Sequence, residues 1–134
     1  MSRYLLDTNH VSSLINDRGA SPVLARVADI GGSRVCTSIV VAAEIRYGVA
    51  RTASPRLAEA AERVLGLLAV LPLDHPADLA YGTIRTDLER RGLTIGTNDL
   101  LIAAQCVSSG LTLATDNTRE FERVAGLRLE NWLR

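Results

Sequence analysis

Apolar positions follow two rhythms along this chain. Unbroken apolar runs at residues 3–6, 35–40 and 111–115, with β-branched content, predict buried strands. Residues 70–73 and 127–129 are weaker candidates of the same kind. Between them, apolar residues recur at helical spacing and capping signals appear, predicting helices over about 9–16, 21–30, 39–50, 55–69, 76–92 and 98–109. Pro55 and Pro76 stand near helix starts, and Gly92 and Gly110 where helices stop. Strands alternating with helices predict an α/β fold, a central parallel sheet of four to five strands flanked by helices on both faces. No linker, repeat or low-complexity segment interrupts the pattern, so residues 1–134 read as one domain.

Four of these segments end an apolar run on an acid: Leu5-Leu6-Asp7-Thr8-Asn9, Val40-Val41-Ala42-Ala43-Glu44, Thr97-Asn98-Asp99-Leu100-Leu101 and Leu113-Ala114-Thr115-Asp116-Asn117. A carboxylate is seldom set against a buried element unless something compensates its charge. Asp7 and Asp116 follow strands, at the carboxyl ends where parallel α/β proteins gather ligand groups. Either also suits a structural role, Asp7 as a helix N-cap and Asp116 in an Asp-Asn turn. Glu44 has Val40, Val41, Tyr47 and Gly48 as its helical neighbours, which places it on an apolar stripe. There its pKa should rise unless a cation or hydrogen-bond donors hold it ionised; a buried ion pair with an Arg is the alternative. Asp99 opens a helix capped by Thr97 or Asn98, where the helix dipole favours an anion. Glu120, four residues after Asp116, is a further acid at the start of a short helix.

Together these acids converge on one edge of the predicted sheet, where they would repel one another without a cation. All the donors are oxygens, and only His10 and His75 offer nitrogen. That set favours Mg²⁺, with Mn²⁺ as the substitute, over zinc. Such ions serve phosphoryl chemistry, so hydrolysis of a phosphodiester is the reaction class.

Charge and composition narrow the partners. The 15 acidic residues balance 15 basic ones, so a nucleic acid would have to be met by a local patch or a bridging cation. Every basic residue is Arg, which suits bidentate contact with phosphate; Arg46, Arg85, Arg90, Arg91 and Arg119 are candidates. With no Lys, phospho-accepting signalling domains and haloacid-dehalogenase-type phosphatases are disfavoured, and the latter also need Asp where Asn9 stands. The few aromatics, Tyr4, Tyr47, Tyr81, Phe121 and Trp132, read mostly as core or interface. No run approaches a membrane span, and the start Met1-Ser2-Arg3-Tyr4 leads directly into a strand without a visible signal peptide. Cys36 and Cys106 lie in apolar surroundings, as reduced thiols of a cytoplasmic protein would.

At these residues the chain resembles a PIN-domain ribonuclease of the VapC toxin type. The resemblance rests on Leu5-Leu6-Asp7-Thr8-Asn9, Glu44-Ile45-Arg46-Tyr47-Gly48, Ile95 to Ala104, Thr118-Arg119-Glu120-Phe121 and the Gly126-Leu127 to Trp132 segment, in order from residue 3 to the C-terminus. It implies a PIN-like fold and a Mg²⁺- or Mn²⁺-dependent endoribonuclease leaving 5′-phosphate and 3′-hydroxyl ends. It also implies a VapB-like antitoxin whose tail occupies the site, and a homodimer that forms a heterotetramer or larger assembly with it. The Leu14/Ile15 and Leu24/Val27 helices offer an apolar groove for such a partner, though core packing explains them equally well. Carried over by residue, Asp7 and Asp99 match the metal ligands and Glu44 the second acid, with Thr8, Asn9, Asn98, Thr115 and Asn117 as supporting donors. For the fourth position, Asp116 completes the catalytic set Asp7, Glu44, Asp99 and Asp116, with Asn117 and Glu120 as rivals. The family often has proline where Thr97 stands and Arg or Asn where Asp116 stands. These motifs do not name the RNA, a transfer RNA being one candidate, and a non-catalytic PIN-like binding module is the alternative reading.

Overall fold

A computed structural model of the chain describes residues 3–134. Met1 and Ser2, read above as leading into the first strand, lie outside the described residues. The elements run β1 (Tyr4–Leu6), α1 (Thr8–Asn16), α2 (Pro22–Ile30), β2 (Val35–Ser38), α3 (Ile39–Thr52), α4 (Pro55–Leu67), β3 (Ala69–Leu71), α5 (Ala77–Arg90), α6 (Thr97–Ser109), β4 (Thr112–Ala114), α7 (Thr118–Phe121) and β5 (Leu129–Glu130). Short 3-10 turns at Arg18–Ala20 and Gly32–Arg34 flank α2.

All five strands pair in parallel, in the order β3-β2-β1-β4-β5. The chain steps outward from β1 through β2 to β3, then crosses back to β4 on the other side of β1. With right-handed crossovers, that reversal puts α1–α4 on one face of the sheet and α5–α6 on the other. The expected layering of helices about a parallel sheet of four to five strands is therefore what forms. β1 and β4 are buried throughout, as expected for strands covered on both faces. Leu5, Leu6, Leu113, Ile102, Val11 and Phe121 are fully buried in one continuous core.

Two local details position the site. The β2 run was expected to extend to residue 40, but Ser38 ends the strand by accepting a hydrogen bond from Val40 N at 3.0 Å. The helix α3 therefore starts without a loop and carries Glu44 just past the carboxyl edge of the sheet. At the far end of the molecule, Gly110 closes α6 in the left-handed region (φ 67°), which any side chain would oppose, and turns the chain directly into β4.

Hydroxyl caps begin three of the helices. Ser21, Ser38 and Ser54 accept from Leu24 N, Val40 N and Leu57 N. Ser54→Ala should cost about 1 kcal/mol, the usual worth of such a cap, read as a lower urea midpoint with an unchanged slope. A changed slope with no midpoint shift would show that the cap does not hold α4.

The C-terminal segment is fastened to the first strand and helix. Trp132 packs on Tyr4 with ring centroids 5.3 Å apart, and its backbone N–H donates to His10 Nε2 at 3.0 Å. Its indole N–H donates to Glu130 at 2.9 Å, and Arg26 lies over its ring. Among the described residues no helix is long and apolar enough to cross a membrane.

Candidate active site

The reversal of strand order at β1 and β4 opens a crevice at their carboxyl ends, where an open parallel sheet binds ligands. Asp7 sits there. Its backbone N–H still donates to Ala114 O at 2.9 Å, continuing the β1–β4 ladder, while its carbonyl accepts the first bond of α1 from Val11. It occupies the N-cap position, but its side chain makes no capping bond. Instead its Oδ2 accepts from the buried Thr115 hydroxyl at 2.7 Å. At 8% exposed, this carboxylate is deeply placed for an acid, and burial pushes its pKa up; Thr115 and the Thr8 backbone N–H oppose the rise.

Glu44 comes from α3. It is half-buried and accepts from the Thr8 hydroxyl at 3.0 Å, so its partner is a hydroxyl and not the Arg considered above. The stripe it shares with Tyr47 and Gly48 lines an open groove where a core was expected, and Tyr47 is 66% exposed. Sequence periodicity shows that these residues share a helix face; it does not show whether another element covers that face.

Asp99 lies in the first turn of α6. The helix begins at Thr97 with Gly96 as its N-cap, so neither Thr97 nor Asn98 caps it by a side-chain bond. A β-carbon added at Gly96 would stand 3.5 Å from Asp99 Oδ2, which shows how closely that carboxylate folds back over the helix start. Burial raises the Asp99 pKa from 3.8 to about 6, with further repulsion from Asp7, Glu120 and Glu44. Those named neighbours define the cluster: Asp7, Glu44, Asp99 and Glu120.

Asp116 is not in it. Its carboxylate accepts from Asn131 Nδ2 at 2.9 Å and pairs with Arg134 at 3.3 Å. These contacts hold its pKa below the usual carboxylate range, the Asn131 bond being the larger influence. The geometry therefore corrects the choice of Asp116 for the fourth acid in favour of Glu120. The physical reason lies one step along the chain: Thr115 faces the crevice, so the next side chain points the other way, toward the C-terminal segment. The turn through Asn117 then brings α7 round, and Glu120 returns to the cluster. Asn117 Nδ2 and Gly96 N each donate to Glu120 at 3.0 Å, one to each oxygen. The fully buried Phe121 beside it anchors the short helix.

Among the described residues no three acids, histidines or cysteines already form a closed metal cage. The donor set nonetheless fits a hard divalent cation. Mg²⁺ keeps several waters and takes one or two carboxylates, so it needs no preformed protein cage. A carboxylate pushed up by burial and by three neighbouring carboxylates, as Asp99 is, is what such a charge relieves. Among the Arg candidates, Arg46 pairs with Glu62, Arg85 with Glu89, and Arg91 with Asp87, all on the surface. Gly96, which donates to Glu120 and lies against Asp99, was not anticipated. Its only sequence signal is its place just before the helix start.

Comparison with known proteins bears on the fold and the family. Residues 4–127 match the PIN domain family. The chain is 38% identical over 134 residues to Ribonuclease VapC2 of Haemophilus influenzae, covering 99% of this chain and 100% of that one. It is 34% identical to the tRNA(fMet)-specific endonuclease VapC of Salmonella typhimurium, covering 98% and 99% of the two chains. The fold superimposes with a TM-score of 0.89 on a chain in the crystal structure of DNA-bound VapBC from Salmonella typhimurium, at 34% identity over 98% of this chain and 99% of that one. With the fold, the motifs and near-full-length relatives in agreement, this chain belongs to the PIN-domain family, in its VapC branch.

Proposed function

We propose that this chain is a Mg²⁺-dependent endoribonuclease toxin, held inactive by a VapB-like antitoxin. The observation that carries the reading is the convergence of Asp7, Glu44, Asp99 and Glu120, with burial and three neighbouring carboxylates pushing Asp99 up to about 6. Relatives named as ribonucleases support the reaction class, and a neighbour solved as a VapBC complex supports the partner. Asp7 and Asp99 would hold the cation. When bound, it supplies Lewis acidity, offsetting phosphate charge and making water a better nucleophile.

The chain's own groups do the rest. Thr115 fixes the Asp7 carboxylate through Oδ2, and Asn117 with Gly96 N fixes both oxygens of Glu120. Glu44, which accepts from the Thr8 hydroxyl, would take the proton of an attacking water. Water adds to phosphorus, the bond from phosphorus to the 3′ oxygen breaks, the released 3′ oxygen takes up a proton from solvent, and the products carry 5′-phosphate and 3′-hydroxyl ends. A transfer RNA is the first substrate to try, on the strength of the Salmonella typhimurium relative's name. The groove formed by Leu14, Ile15, Ala60 and Val64 with Arg56 and Arg63 at its rim offers an antitoxin helix an apolar floor. The buried free thiols of Cys36 and Cys106 suit a cytoplasmic protein, and a homodimer that joins antitoxin in a heterotetramer or larger complex is the assembly proposed.

The test is cleavage of total RNA by the purified, partner-free chain with Mg²⁺, beside EDTA and Asp7→Asn controls. Discrete fragments that disappear in both controls are expected. Cutting that persists in EDTA would remove the metal from the reading, and no cutting of any RNA would remove the nuclease.

A further inference from the structure

Beside the acids runs a groove of about 530 Å³ between α1 and α3. We propose that it holds one unpaired nucleotide of a single-stranded RNA segment, with Tyr47 stacking its base and Arg51 meeting a phosphate. This deepens the nuclease reading and rests on it.

Three observations converge. First, Glu44, Tyr47 and Arg51 stand at i, i+3 and i+7 on α3, so they share one helix face leading away from the acids. Arg51 lies two turns from Glu44, roughly 10 Å along the axis. A strand whose scissile phosphate lies at Glu44 and which runs along this face passes Tyr47 next and then Arg51. Second, Tyr47 is the most exposed aromatic among the described residues, at 66%, and the Arg51 guanidinium lies 5.3 Å from its ring centroid. That contact holds the ring in place and leaves it open to solvent, whereas Tyr4, Phe121 and Trp132 are buried. Third, Arg51 pairs with no carboxylate among the described residues, while Arg46, Arg63, Arg85 and Arg91 are each engaged by an acid. Among the described residues it is the lone cation lining this groove, whose other charge is Glu44.

The opposite wall favours a nucleotide over a protein helix. Ser12 and Asn16 of α1 present a hydroxyl and an amide, suited to sugar and phosphate oxygens. A groove of this volume matches a small ligand well. Bases in a duplex have no free face for Tyr47, so the geometry selects an unpaired base, as in a loop.

Binding is read by fluorescence quenching of single-stranded RNA carrying 2-aminopurine, using the Asp7→Asn chain, in which cutting is expected to be lost. Cleavage kinetics are read on the wild-type background. Tyr47→Ala should abolish the quenching and raise KM about 10-fold, in line with the loss of one base stack, with kcat within about 2-fold. Tyr47→Phe should restore both, which separates stacking from folding. Arg51→Gln should weaken binding and flatten its salt dependence by about 0.7, the loss of one phosphate contact to a single strand. Unchanged quenching and KM in Tyr47→Ala would overturn the proposal. So would equal binding of duplex and single-stranded RNA, or a Tyr47→Ala chain that loses affinity only for a protein antitoxin. If the wild-type chain cuts no RNA, the nuclease reading fails, while the quenching still reports on the groove.

Discussion

Asp99→Asn is expected to reduce RNA cleavage by at least roughly 10²- to 10³-fold while making the metal-free chain more stable. Loss of activity follows from removing a carboxylate that would hold the cation. The gain in stability follows from the structure. Raising the Asp99 pKa from 3.8 to about 6 means that keeping it ionised at pH 7 strains the fold. Unscreened, that shift corresponds to about 3 kcal/mol; for a half-buried group, solvent screening leaves about 1–2 kcal/mol. The opposing effect, a favourable interaction with the N-terminus of α6, is worth about 0.3–1 kcal/mol, so repulsion and burial win. A melt in EDTA should therefore show Asp99→Asn unfolding roughly 5 °C above wild type. Had Asp99 served only the helix dipole, the substitution would lower the melting temperature and leave cleavage intact.

The stability of the wild-type chain should fall by only about 1–2 kcal/mol between pH 6.5 and 4, and single substitutions should expose two opposite slopes beneath that shallow profile. His10 is fully buried; its Nε2 accepts from Trp132 N, and its Nδ1 has no hydrogen-bond partner among the described residues. The neutral ring therefore carries its proton on Nδ1, and protonating Nε2 would break the bond that fastens the C-terminal segment. Burial lowers the His10 pKa from 6.5 to about 4, against a smaller opposing pull from Asp116. A lowered folded pKa means stability that is fully present above 6.5 and is lost as pH falls through 4, about 3 kcal/mol in all. Asp99 has the reverse sign: with its folded pKa raised to about 6, its contribution is full below 3.8 and is lost as pH rises through 6.

The two oppose each other, about 3 kcal/mol against about 1–2 kcal/mol, and His10 dominates because Asp99 is the better solvated. Asp99→Asn should then turn the chain acid-labile, losing about 3 kcal/mol between pH 7 and 4. His10→Gln keeps an acceptor for Trp132 without the ionisation, and should be more stable at pH 4.5 than at pH 7. Urea unfolding of the three chains at pH 4.5, 5.5 and 7 reads this directly. Parallel profiles for all three would mean that neither group controls the acid response.

Much of the candidate site was legible before the fold was known. Asp7 and Asp99 were marked by acids placed against apolar runs, and Glu44 by an acid on an apolar stripe. Burial follows from local pattern, and a charge that breaks the pattern needs a reason. What the pattern misjudged was the surroundings of α3. Its stripe faces open solvent at Tyr47 because no element among the described residues packs over that stretch of the helix, and coverage depends on the path of distant segments. Asp116 and Glu120 were inseparable for a similar reason. Both follow β4 by a few residues, and only the turn through Asn117 decides which of them returns to Asp99.

The sequence by itself determined the alternation of strand and helix, the parallel sheet, the starts and stops at Ser54, Pro55, Gly92 and Gly110, and the acids that break its apolar rhythm. Each is written in a few neighbouring residues, through backbone preference and period. The tertiary structure decided what joins residues far apart in the chain. It chose Glu120 over Asp116, tied Thr115 to Asp7 across 108 positions, seated His10 beneath Trp132, and left Tyr47 and Arg51 uncovered beside the acids. Those outcomes depend on the reversal of strand order around β1 and on the path of the last residues, which no local pattern encodes.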